Sequence, residues 1–146
     1  MTATMEGGPR FEIGKGDAGY PAAFLRLANP PGRLYVIGDP SALEEGLAIV
    51  GARKATPYGA GCARRFARQA AARGVVVISG GARGCDAAAH EGALEAGGCT
   101  VAFLGGGCDR VYPAENAGLF RRIVAAGGAL VSEHPWGFEP FGWTFR

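Results

Sequence analysis

From Leu47 onward the chain repeats one unit: a short apolar run, a glycine-rich loop, then a helix-like stretch. The runs are Ala48-Ile49-Val50, Val75 to Ile78, Thr100 to Leu104 and Ala129 to Val131. Neighbouring parallel strands need a crossover, and a helix is the usual one. A continuous apolar run such as Val75 to Ile78 fits a strand covered on both faces. The repetition therefore predicts an α/β fold: a mostly parallel sheet with helices on both faces. In such sheets ligands bind at the carboxyl ends of the strands, near the point where strand order reverses. Every glycine loop of the repeat falls at such an end, which predicts one shared site.

Helix signals agree with this frame. Thr56 is placed to cap a helix whose first residue is Pro57, and Gly74 stops it. Ala60, Ala63, Phe66, Ala67 and Ala70 recur at helical spacing and are expected to face the core, with Arg64, Arg65, Arg68 and Arg73 on a solvated face. Asp86 is expected to cap a second helix running to Ala96. A third spans Glu115 to Ala126 and is closed by Gly127-Gly128. Upstream, Tyr20 to Leu27 reads as a helical turn, Leu34 to Ile37 as a strand and Ser41 to Glu45 as another turn. Residues 1–19 form an N-terminal extension expected to be partly disordered or extended, and 20–146 the domain itself. The tail from Trp136 has no regular period.

A chain of 146 residues is expected to form one domain. Its net charge of +2 is too small to indicate a polyanionic partner, so a basic site must be local. The four cysteines have neither CxxC nor zinc-type spacing. They read as free thiols of a cytoplasmic protein, and no apolar run is long enough to span a bilayer. Neither a metal nor a cofactor is expected.

Three loops present the means to hold an anion. The first has Gly51, Arg53 and Lys54 ahead of a helix N-terminus. The second has Ser79, Gly80, Gly81, Arg83 and Gly84, whose small residues allow a concave nest of backbone N–H groups and whose serine can donate. The third has Gly105, Gly106, Gly107 and Arg110, with Tyr112 nearby. Cations beside an aromatic face suit a single-stranded nucleic acid, where phosphates track charge and a base stacks. No GxxxxGK[ST] or GxSxG occurs and the first βα turn carries no GxGxxG, which argues against a P-loop NTPase, a serine hydrolase and a dinucleotide enzyme. His90, in mid-helix, reads as structural. Glu115, Glu133 and His134 are candidates for acid–base work, but orienting roles are preferred: a carboxylate holding an arginine, or a helix cap.

At these residues the chain resembles the DNA-processing protein A (DprA/Smf) family. The matching stretches are Tyr20-Pro21, PGRLYVIG (31–38), IVGARKATPYG (49–59), ISGGARGCDAAAHEGA (78–93), VAFLGGGCDRVYPAEN (101–116) and Ser132-Glu133. They occur in family order and cover about Tyr20 to Pro135. The resemblance implies an extended Rossmann-like domain without catalytic activity. It implies binding of single-stranded DNA irrespective of sequence, delivery of the strand to the RecA recombinase during natural transformation, and a homodimer. It implies that Arg53 contacts DNA and that Gly51, Ser79, Gly80, Arg83, Gly84, Gly105 and Gly107 face phosphates. Ala52, Gly81, Cys85 and Cys108 depart from the usual serine, leucine and apolar residues. The family continues past Phe145-Arg146 into an Arg-Asn-Arg segment and a further helix, and carries a small helical domain ahead of Tyr20. A fragment, or a protein with a reduced site, is therefore expected. Two other ligand classes remain open at the same loops. One is a nucleotide phosphoribohydrolase of the LOG type, whose PGGxGTxxE is poorly matched by Gly80 to Gly84. The other is a sensor of a small nucleotide, since a phosphate nest does not report what carries the phosphate.

Overall fold

The computed structural model describes residues 3–145. Met1, Thr2 and Arg146, at the ends of the two expected segments, lie outside the described residues. Eleven strands and helices organise the rest: β1 (Ala3–Thr4), β2 (Arg10–Gly14), β3 (Arg33–Gly38), β4 (Leu47–Ala48), α1 (Pro57–Ala72), β5 (Val77–Ser79), α2 (Cys85–Glu95), β6 (Thr100–Phe103), β7 (Arg110–Val111), α3 (Ala117–Ala125) and β8 (Ala129–Ser132). Short 3₁₀ turns lie at Ala22–Arg26, Pro40–Ala42, Ala114–Asn116 and Gly142–Phe145.

Six strands form one sheet in the order β2-β3-β8-β6-β5-β4. β4, β5, β6 and β8 run parallel, and β3 runs against both β8 and β2. The α/β class with a mostly parallel sheet is thus the one the repeat predicts. Side chains alternate across this sheet as a period of two requires. Ile37, Ala102 and Leu130 pack with Phe120 and Ile123 of α3, while Val77 packs with the alanines of α1 and α2. Leu34, Val36, Val101 and Val131 point the other way, toward Tyr20 and Phe24. The two faces therefore differ in cover. All three α-helices lie on one, and the short 3₁₀ turns around Phe24 and Leu43 shelter the other.

Several elements differ from the sequence reading. The run Ala48-Ile49-Val50 is not a buried strand. β4 ends the sheet, so both its residues are exposed and Val50 is 75% exposed. Ile49 still donates to the Ile78 carbonyl at 2.9 Å, which extends the ladder by one bond. An edge strand and an inner one look alike as apolar letters. At the other end, the segment before Tyr20 supplies β2, which pairs over its whole length with β3. Met5 is 2% exposed, and β1 pairs with β7 within the third glycine loop, the one that carries Arg110.

α1 begins as expected, with Thr56 Oγ1 accepting from Gly59 N–H at 3.0 Å and Pro57 in the first turn. Its inner face is Ala63, Ala67 and Ala71, whereas Phe66 is 52% exposed. Small residues four apart let α1 lie close against Ala89 and Ala93 of α2, and that geometry turns Phe66 outward. The expected solvated arginine face is partly engaged: Arg64 and Arg68 both pair with Glu95 of α2.

His90 sits on α2 with no exposed surface. Its Nδ1 lies 2.7 Å from Thr100 Oγ1, whose single proton goes to the Val77 carbonyl, also at 2.7 Å. Nδ1 must therefore carry the ring proton, and Nε2 is left as a buried acceptor with no partner among the described residues. Burial pushes the pKa of His90 down to about 4.

Candidate nucleic-acid interface

The loops after β4, β5, β6 and β8 meet at the carboxyl edge of the sheet around a cleft of about 510 Å³. Gly51, Arg53, Gly80 and Gly105 line it, as do Asp86 and Glu133. Beside it is a narrow notch of about 30 Å³, walled by Arg53, Gly80, Ala82, Arg83, Tyr112 and Pro113. The guanidinium-bearing residues 53 and 83 thus share one rim, as a single convergent site requires.

Close backbone contact joins the first two loops. Cys85 N–H donates to the Ala52 carbonyl at 3.2 Å, which lays the Gly51–Lys54 loop over the start of α2. Gly84 makes this possible. It has φ +76° and ψ −123°, and a Cβ there would lie 2.3 Å from the Ala52 carbonyl oxygen and 2.5 Å from that of Arg53. No L-residue with a side chain adopts that backbone readily.

The polar groups of the second loop are used differently from expectation. Ser79 Oγ donates to the Ile49 carbonyl at 2.6 Å, so its hydroxyl ties β5 to the end of β4 and its proton is taken. Asp86 does not cap α2, whose N-cap position is Gly84. Its carboxylate instead accepts from Gly80 N–H at 3.0 Å, so one amide of the expected nest already faces an anion. Gly81 is buried, and its carbonyl accepts from Asn116 Nδ2 at 3.0 Å. An aspartate six residues after the first loop glycine was a legible sign of this tie, since short polar side chains often bond back to nearby backbone.

Arg83 pairs with Glu115, which fulfils the expected carboxylate holding an arginine. The Glu115 hydrogen bond is the main reason that the Arg83 pKa lies above its ordinary value, with a smaller contribution from Tyr112. Both members of the pair are more than half exposed, so a competing anion has access to Arg83. Glu133 is exposed on the cleft rim, and His134 stacks on Phe138 at 4.2 Å.

The third loop divides. Gly105 lines the cleft, but Gly106 and Gly107 are buried beneath the tail. Gly107 N–H donates to the Phe138 carbonyl at 2.8 Å, and a Cβ there would lie 2.6 Å from the Pro135 carbonyl oxygen. Asp109 fastens this strap by accepting from Gly137 N–H at 2.9 Å. Arg110 faces Glu139 at 3.0 Å and Thr4 at 3.4 Å, on the side of the tail and β1. Lys54 is exposed and lies outside both clefts. Of the twelve residues singled out, the structure therefore gathers Gly51, Arg53, Gly80, Arg83 and Gly105 around open space. Gly84 and Ser79 hold the loops beneath. The tail's close packing on Gly106 and Gly107 has no periodic signature in sequence.

A mostly parallel sheet with glycine loops and two arginines gathered at its carboxyl edge defines a Rossmann-like domain. The model of one family, DNA recombination-mediator protein A, matches residues 12–146, and the chain belongs to that family. It is 40% identical over 127 residues to protein Smf of Escherichia coli K12, an alignment covering 86% of this chain and 34% of that protein. It is 34% identical over 128 residues to DNA processing protein DprA of Bacillus subtilis 168, covering 86% and 43%. Its fold matches the structure of DNA processing protein A from Helicobacter pylori, solved for a single-stranded DNA binding mode, with a TM-score of 0.80 at 33% identity. That match covers 94% of this chain and 61% of the other. DNA processing protein A from Streptococcus pneumoniae matches at 0.79 and 29%, covering 97% and 49%. The chain thus spans less than half of these curated relatives. Among the described residues no helix is long and apolar enough to cross a membrane.

Proposed function

We propose that this chain binds single-stranded DNA irrespective of base sequence, with phosphates on the rim formed by Arg53 and Arg83. The observation that carries the proposal is their convergence in one notch with the ring of Tyr112. A guanidinium offers paired donors to phosphate, and an aromatic face accepts any base. Membership of the DNA recombination-mediator protein A family and the likeness to a single-stranded DNA binder support the same reading. In this reading the bound strand is handed to the RecA recombinase in DNA uptake and recombination, and the chain works as a homodimer rather than as an enzyme. Those three elements rest on the family resemblance. The test is fluorescence anisotropy with labelled oligonucleotides. Single strands of mixed and of single-base composition are expected to bind alike and more tightly than a duplex. Equal or tighter binding of the duplex contradicts the proposal.

A further inference from the structure

A phosphate track accounts for the notch but not for the larger cleft beside it. That cleft combines apolar walls, among them Phe24, Leu27 and Leu104, with Arg53 and the carboxylates of Asp86 and Glu133. Its volume of about 510 Å³ is in the range of small-molecule pockets, and it stands where open α/β sheets take their ligands. Carboxylates are acceptors only and repel a phosphodiester. Within a DNA strand the sugar offers them no free hydroxyl. A ribose offers two on adjacent carbons, and an acidic side chain bonding to a ribose hydroxyl is a recurrent solution in this fold class. Asp86 is committed to Gly80 N–H through Oδ2, whereas among the described residues no ion pair or hydrogen bond engages the side chain of Glu133.

We propose that this cleft binds a free ribonucleoside monophosphate, with the base against the apolar walls, the phosphate toward Arg53 and the ribose hydroxyls on Glu133. Such a ligand and a DNA strand share Arg53, so each displaces the other. The proposal goes beyond strand binding and is read independently of it.

The experiment is calorimetric titration of the whole chain with AMP, deoxy-AMP and inorganic phosphate, alongside anisotropy with labelled oligothymidine. AMP is expected to bind about tenfold or more tightly than deoxy-AMP, because losing a hydrogen bond to a charged group has that effect. Phosphate alone is expected to bind far more weakly. Glu133→Gln keeps an acceptor oxygen but loses the charge, so it is expected to weaken AMP binding, to shrink the preference for AMP over deoxy-AMP, and to leave oligothymidine binding no weaker. Glu133 is exposed, and far-UV circular dichroism verifies that the variant is folded. No binding of AMP at about 1 mM, equal affinities in the parent chain, or unchanged AMP affinity in Glu133→Gln each overturns the proposal. AMP binding without oligothymidine binding supports it and overturns the strand reading instead.

Discussion

Replacing Gly84 by alanine tests whether the first two loops are positioned by one close backbone approach. The new methyl carbon falls 2.3 Å from the Ala52 carbonyl oxygen, roughly 1 Å inside ordinary contact. The oxygen belongs to backbone, so relief requires moving the whole Gly51–Lys54 loop. Two effects add. Holding alanine at φ +76°, ψ −123° costs about 1–3 kcal/mol, and forcing atoms into a packed contact costs about 1–3 kcal/mol more. A total of about 3 kcal/mol is a large share of the ~5–15 kcal/mol that holds a domain folded. With a urea dependence of about 2 kcal/mol per molar, the unfolding midpoint should fall by about 1.5 M. Because Arg53 rides on the displaced loop, oligonucleotide affinity of the still-folded variant should also drop. A midpoint within about 0.3 M of the parent would show that the loop yields freely. Lost stability with unchanged affinity would show that Gly84 does not place Arg53.

Further expectations concern charge. His90 is neutral in the fold with its pKa near 4, against 6.5 when unfolded, so between those values the unfolded chain binds more protons. Stability should therefore fall as pH drops from about 6.5 to about 4, by up to about 3 kcal/mol from this one group. Urea unfolding at several pH values should show His90→Gln losing that part of the slope, and parallel slopes would contradict it. Glu115→Gln removes the carboxylate that holds Arg83 and takes a negative charge from the rim. Oligothymidine should bind more tightly, by less than about tenfold since the pair is exposed, and anisotropy showing weaker binding would mean that Glu115 positions the arginine for DNA. Gly61 lies in α1 with open space around its Cβ position, so Gly61→Ala should raise the midpoint by the helix-propensity gain of about 0.5–1 kcal/mol. A lower midpoint would reveal an unseen contact.

The fold was legible because its repeat is local. A run of Val and Ile, a glycine loop and a capped helix each announce themselves within a dozen residues. What stayed hidden depends on partners distant in the chain. Whether Ile49 and Val50 are inner or edge residues depends on sheet order, which apolar letters do not encode. β2 pairs with β3 across the Tyr20–Leu27 turn, and its RFEIG carries too few apolar residues to stand out. The glycines at 105, 106 and 107 are identical letters with different duties, since only the strap from Pro135 to Pro140 decides which of them are covered. Arg110 and Arg83 likewise look equivalent after a glycine loop. Glu139 and Thr4 draw the first toward the tail, and Glu115 and Tyr112 hold the second at the rim.

The most direct measurement of the central claim is the salt dependence of oligothymidine binding for the parent chain, Arg53→Ala and Arg83→Ala. Each contacted phosphate contributes about −0.7 to the slope of log affinity against log salt. Each substitution should weaken binding at every salt concentration and make the slope shallower by about that amount. Slopes and affinities identical to the parent in both variants would contradict the account, because the strand would then be held somewhere other than the rim these two arginines share.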